Sequence, residues 1–175
     1  MLKKILIGLV VVVVAVLGLA MTQPDSFQVQ RTITINAPPE KVIGYLNDFH
    51  AWQAWSPWEK LDPNMQRNFE GPASGVGSAY GWSGNDDVGQ GRMEITENVV
   101  PNKVGIKLGF IKPFEAHNTT VFTLVPQTHG TLVTWTMSGP SPFITKLMGL
   151  FVSMDKMIGK DFEKGLAQLK EVAEK

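Results

Sequence analysis

The sequence predicts an α+β protein: an antiparallel meander backed by a long C-terminal helix and preceded by an apolar N-terminal helix. Three observations predict it. An uncharged run extends from Ile5 to Met21, period-two alternation then recurs in short stretches separated by turn residues, and apolar residues at threes and fours fill the end of the chain. The chain divides accordingly into a membrane segment, residues 1–24, and one domain, residues 25–175, with no second linker or internal repeat.

The first element is the apolar run. Lys3 and Lys4 precede it, and Pro24 and Asp25 end it. At 1.5 Å per residue, residues 5–21 extend about 25 Å, enough to cross a thin hydrocarbon core. Five consecutive valines, Val10 to Val14, leave it without an amphipathic face. The two lysines favour a cytoplasmic N-terminus, which places the domain outside the cytoplasm and, in a Gram-negative cell, in the periplasm. A cleaved signal peptide is the competing reading, with small residues at Gly18 and Ala20, but the run is longer than the ~7–15 residues of a signal-peptide core. The expectation is an uncleaved signal-anchor, with secretion after cleavage as the alternative.

"FQVQRTITIN" then alternates Phe27, Val29, Ile33 and Ile35 on one face, with Arg31 as the exception. "APPEKVIGYLNDF" opens on two prolines and Glu40, which suit a first helical turn, and sets Val42, Tyr45, Leu46 and Phe49 on one side. The stretch "AWQAWSPW" follows, carrying Trp52, Trp55 and Trp58, and Pro57 argues against a continuous helix there.

From Gly75 the chain reads as strands and turns. Ser78, Tyr80 and Trp82 share a face, a turn spans Gly84 to Asp87, and a strand covers about Gln90 to Glu97. "NKVGIKLGF" alternates Val104, Ile106, Leu108 and Phe110, and two strands flank a turn at Gln127 to Gly130. One long amphipathic helix is expected from Ser141 and Pro142 to the end, with Phe143, Leu147, Phe151, Ile158, Phe162, Leu166 and Leu169 on its apolar face. Gly149, Gly159 and Gly165 interrupt it at about 1 kcal/mol each, a cost tolerated where a side chain would collide or where space must stay open.

This order of elements, with "INAPPEKVIGYLNDFHAWQAWSPWEKLDP", "GVGSAYGWSGNDDVGQGRMEITE" and "DFEKGLAQLK", resembles the bacterial polyketide cyclase/dehydrase-like branch of the SRPBCC superfamily, the START and Bet v 1 relatives. The resemblance covers Phe27 to Lys175. It implies the helix-grip fold, a curved sheet around a long helix with two short helices after the first strand and a cavity between. It also implies a hydrophobic ligand such as a lipid, sterol or polyketide, and catalysis in a minority of members.

On that fold the tryptophan stretch sits at one end of the sheet, with Trp55 facing inward and Trp52 or Trp58 at the cavity mouth. Sealing the domain against water is the simpler role for all three. Tyr80, Trp82, Met93, Ile95, Phe122, Leu124 and Trp135 are expected on the concave face, met by Met154, Met157 and Ile158 from the helix. Aromatics, methionines and helix glycines together suit the wall of a space.

Composition excludes other classes. Basic and acidic residues balance at 16 each, and with Lys3 and Lys4 set aside the remainder is slightly acidic, a poor partner for nucleic acid. The absence of cysteine rules out disulfides, thiolate metal sites and Cys nucleophiles. No histidine stands at metal-ligand spacing, no metal or cofactor is implied, and Asp86-Asp87 reads as a turn. His117 with Glu115 is the one acid/base candidate, and a surface salt bridge is the simpler reading. The expected function is a membrane-tethered carrier of a hydrophobic small molecule or lipid. A polyketide cyclase/dehydratase-like enzyme and an envelope protein-interaction module are the alternatives.

Overall fold

The computed structural model describes residues 2–175. Helix α1 (Leu2–Met21) leads into strand β1 (Ser26–Ile35) and helix α2 (Pro39–Gly44). Two 3-10 turns follow, Phe49–Ala54 and Pro57–Lys60, and then six strands: β2 (Gln66–Glu70), β3 (Ala79–Ser83), β4 (Gln90–Val99), β5 (Lys103–Lys112), β6 (Ala116–Gln127) and β7 (Gly130–Pro140). Helices α3 (Phe143–Gly149) and α4 (Met154–Ala173) close the chain.

The seven strands form one antiparallel sheet in the order β1-β7-β6-β5-β4-β3-β2. The meander from β2 to β7 pairs sequence neighbours, and β1 closes the far edge on β7. A register shift between Ile95 and Glu97 marks a bulge in β4, where the strand bends and its twist increases. Register also fixes two ends. Ser26 opposite Pro140 and Ala116 opposite Phe110 define the end from which α1 departs; Ile35 opposite Thr131 and Gln127 opposite Gly130 define the other.

Helix α4 lies across the sheet on Phe162, Leu166, Leu169 and Ala173, all buried at helical spacing. Each large apolar side chain so buried contributes about 1.5–3 kcal/mol. Arg31, the odd residue of the first strand, holds this helix: its guanidinium pairs with Asp155 at 2.8 Å and with Glu163 at 2.7 Å. Gly159 lies directly over that guanidinium, where a Cβ would collide with it.

Two expectations are corrected and one strand is added. The helix after β1 does not run to Phe49: it stops at Gly44, and Asp48 caps a new turn by accepting from the His50 N–H at 2.8 Å. Strand β2 carries no clear alternation in the sequence and forms as the partner of β3. The C-terminal helix is two helices. Gly149 ends α3, and the Ser153 hydroxyl caps α4 by accepting from the Lys156 N–H, so the chain turns between them. No residue of α3 is buried, and its neighbour is α1 rather than the sheet.

Candidate ligand cavity

The concave face of the sheet is divided along its length. Towards the end remote from α1, Ile35, Ile95, Val104, Leu124 and Val133 pack against Leu46 and the second half of α4, and all are essentially inaccessible. Towards the α1 end the same rows of side chains face open space. Phe27, Met93, Leu108, Phe110 and Met137 line it from the sheet, and Met154, Ile158 and Phe162 line it from α4. The cavity is about 630 Å³, within the ~300–1,000 Å³ of small-molecule sites.

An aromatic floor separates core from cavity. Trp135 stacks on Phe162 with centroids 3.9 Å apart and meets Trp58 edge to face at 5.9 Å. Trp52 and Trp55 fold beneath it, their indole N–H groups donating to the carbonyls of Leu46 at 3.2 Å and Tyr45 at 2.9 Å. These two bonds explain why the tryptophan stretch breaks into 3-10 turns. They satisfy the polar edge of each ring while the rest is buried, and they hold the stretch against the end of α2.

The wall is mostly apolar, with one built polar position. Glu59, whose side chain is 6% exposed, accepts from the Tyr80 hydroxyl at 2.6 Å and from Arg67 Nε at 2.7 Å. Burial, reinforced by the Glu59 charge, pushes the Tyr80 phenol well above its ordinary value, so it stays protonated and donating. The hydrogen bond that Arg67 donates to Glu59 raises the guanidinium above its ordinary value. Asn118 and Thr120, buried on β6, add polar groups to the opposite wall.

Of the residues singled out in the sequence, Tyr80, Trp82, Met93, Trp135, Met154, Met157 and Ile158 line the cavity. Trp55, Ile95, Phe122 and Leu124 do not: they are buried in the core beyond the aromatic floor. Trp52 and Trp58 line the interior rather than the mouth, since Trp52 is 3% exposed and Trp58 packs on Trp135. The mouth lies elsewhere, between the β5–β6 loop and α3, where Phe114, Ile144, Met148 and Met157 both line the cavity and meet solvent. His117 and Glu115 sit at that outer rim as a salt-bridged pair 3.3 Å apart, 67% and 79% exposed. No cluster of metal-ligating side chains occurs among the described residues.

Sequence reasoning missed Glu59, Asn118 and Thr120. Strand parity marks the last two, because they share the inward face of Phe122 and Leu124 whereas His117 has the opposite parity. Glu59 carried no such signal beyond its place among the tryptophans.

Comparison with known proteins gives the same architecture. The solved structure of protein CV1439 from Chromobacterium violaceum aligns with a TM-score of 0.60 at 16% identity, covering 87% of this chain and 99% of that one. The Aha1 dimer from Colwellia psychrerythraea aligns at 0.61 and 19% identity, over 85% of this chain and 96% of that one. The di-domain ARO/CYC BexL from the BE-7585A biosynthetic pathway aligns at 0.64 and 15% identity, over 90% of this chain and 53% of that one. At these identities the likeness establishes the helix-grip fold alone. No curated protein matches the sequence. The family model described as polyketide cyclase / dehydrase and lipid transport matches residues 26–174, nearly the whole domain, and the chain belongs to that family.

Proposed function

We propose that this chain is a membrane-tethered carrier that holds a lipid or another hydrophobic small molecule between the sheet and α4. The observation that carries the reading is the cavity: about 630 Å³ of space walled by aromatics, methionines and leucine, with one anchored polar cluster. A guest that leaves about 400 Å² of apolar surface behind gains about 10 kcal/mol. That offsets the several kcal/mol of freedom lost on binding. The family description, which includes lipid transport, agrees with such a guest. Helix α1 supports the tether: it is long and apolar enough to cross a membrane, and only Ala20 of its residues is buried. Its flanking Lys3 and Lys4 favour a cytoplasmic N-terminus and a domain beyond the membrane.

A second reading, a cyclase-like enzyme, is favoured by one observation. Tyr80, Glu59 and Arg67 place a protonated phenol and a carboxylate in the same wall, and the BexL neighbour is an ARO/CYC protein. His117 and Glu115 do not strengthen it, being solvated at the rim.

Native mass spectrometry of the full chain, extracted gently from its own membrane, tests the carrier. A hydrophobic adduct is expected on the wild type and its loss in Leu108→Trp or Met137→Trp, which fill the cavity. A bare wild-type mass overturns the reading. An adduct that differs chemically from the lipid pool, as a product would, moves it to the enzyme.

A further inference from the structure

We infer that the cavity mouth is a bilayer-docking face, turned toward the membrane that α1 enters, so that a guest passes between bilayer and cavity without crossing water. The inference rests on the tether reading of α1 and adds the orientation of the site.

Strand register supplies the geometry. The chain leaves α1 at Met21 and enters β1 at Ser26, which pairs with Pro140, the last residue of β7 and two residues short of α3. The β5–β6 loop turns at the same end, since Ala116 pairs with Phe110. Two contacts fix α3 there: the Ser141 N–H donates to the Asp25 carbonyl at 2.7 Å, and Lys146 Nζ meets the Asp25 carboxylate at 2.5 Å. Helix α1 packs directly on α3. Anchor and mouth therefore share one end of the molecule.

That end exposes apolar side chains that folding alone would bury. Phe114 is 73% exposed, Phe151 75% and Ile144 58%, and Met148 on α3 and Val152 in the α3–α4 linker are each about half exposed. Exposed apolar side chains gathered at one end of a domain form a patch that marks an interaction surface. Its continuity with a membrane-length helix selects the bilayer as the occupant, and exposed Lys112 beside Phe114 gives the aromatic-plus-lysine pairing of a membrane interface. The opposite end carries Gln127, Thr128 and His129, and its exposed apolar side chains Val99, Val100 and Val125 are valines, without the phenylalanines of the α1 end.

The chain contains no cysteine, so Phe114→Cys, Phe151→Cys and, at the opposite end, Thr128→Cys can each carry a single nitrobenzoxadiazole fluorophore. The full chain is placed in nanodiscs of phosphatidylcholine and phosphatidylglycerol, with or without lipids bearing a nitroxide near the headgroup. Labels at 114 and 151 should shift to the blue and be quenched several-fold more strongly than the label at 128. Equal quenching at all three sites overturns the docking face. A blue shift without nitroxide quenching also overturns it, because the patch then meets another copy of the chain. The adduct measurement keeps the two ideas apart: solvated, unquenched rim labels with a bound guest leave the carrier standing and remove only its orientation, whereas quenched rim labels on a guest-free chain remove the carrier.

Discussion

Trp135 on β7 and Phe162 on α4 stack ring on ring, with planes 8° apart, and this contact sets the height at which the helix rides over the sheet. Three residues along α4, Gly165 makes room for the edge of the same indole. A methyl group there would stand 2.9 Å from Trp135 Cζ3 and 3.1 Å from Pro57 Cδ. Alanine is the better helix former by about 1 kcal/mol, but neither ring can yield cheaply, and overpacking costs about 1–3 kcal/mol. Gly165→Ala should therefore lower stability by about 1 kcal/mol, read as a fall in the urea midpoint. Gly149→Ala, with no atom within 4 Å of its added methyl, should leave the midpoint unchanged or slightly raised. Equal gains from both substitutions would contradict the close approach.

The division of the concave face into core and cavity gives a second contrast. Ile95 is fully buried beyond the aromatic floor, whereas Met157 is 50% exposed at the cavity mouth. Ile95→Ala should cost about 2–5 kcal/mol, the range for emptying a packed site. Met157→Ala should cost less than about 1 kcal/mol while weakening retention of a guest. Paired denaturation and adduct measurements read both, and a comparable stability loss at the two positions would mean the cavity edge is drawn in the wrong place.

That boundary shows what the sequence could and could not carry. Period two assigns Phe122, Leu124, Met137 and Phe110 to one face, because parity is local. It cannot say how far along each strand the helix lies close, since that depends on Arg31 gripping Asp155 and Glu163 from more than a hundred residues away. Hence Leu124 and Ile95, expected in the cavity, are core, while Met137 and Leu108, equally apolar, line the space. The break between α3 and α4 was hidden for a related reason. Phe143, Leu147 and Phe151 continue the threes-and-fours pattern, yet on α3 and its linker they meet α1 and solvent instead of the sheet. An apolar stripe reports a nonaqueous neighbour without naming it.

The Arg31 clamp predicts an acid limb. The hydrogen bond from Arg31 holds the Asp155 carboxyl below its ordinary 3.8. The folded protein therefore binds a proton there less readily than the unfolded chain. The contribution is complete above that ordinary value and is lost as pH falls through the lower folded one. Asp155→Asn should flatten the acid side of the stability profile while leaving its alkaline side in place. An unchanged acid limb would show that the pair is too solvated to matter.

The Tyr80 phenol predicts the opposite limb. Burial first, and the Glu59 carboxylate second, raise its pKa above the ordinary 10.0. In the unfolded chain the phenol ionises near that ordinary value, while in the folded protein it keeps its proton. Below pH 10 both states are protonated and this group adds no slope; above it the folded state holds the extra proton, and stability falls as pH rises. Tyr80→Phe removes the titrating group together with a hydrogen bond to a charged acceptor, at a cost of about 1.5–3 kcal/mol near neutrality. The gap between wild type and Tyr80→Phe should be widest near pH 7 and should close as pH climbs past 10, because only the wild type loses this contribution. Ultraviolet absorbance gives an independent reading. With two tyrosines in the chain, one phenolate signal should appear only as the wild-type fold is lost, and it should be missing from the variant. Parallel stability profiles for the two proteins would mean that the Tyr80 hydroxyl is solvated rather than locked against Glu59, and the polar anchor of the cavity would go with it.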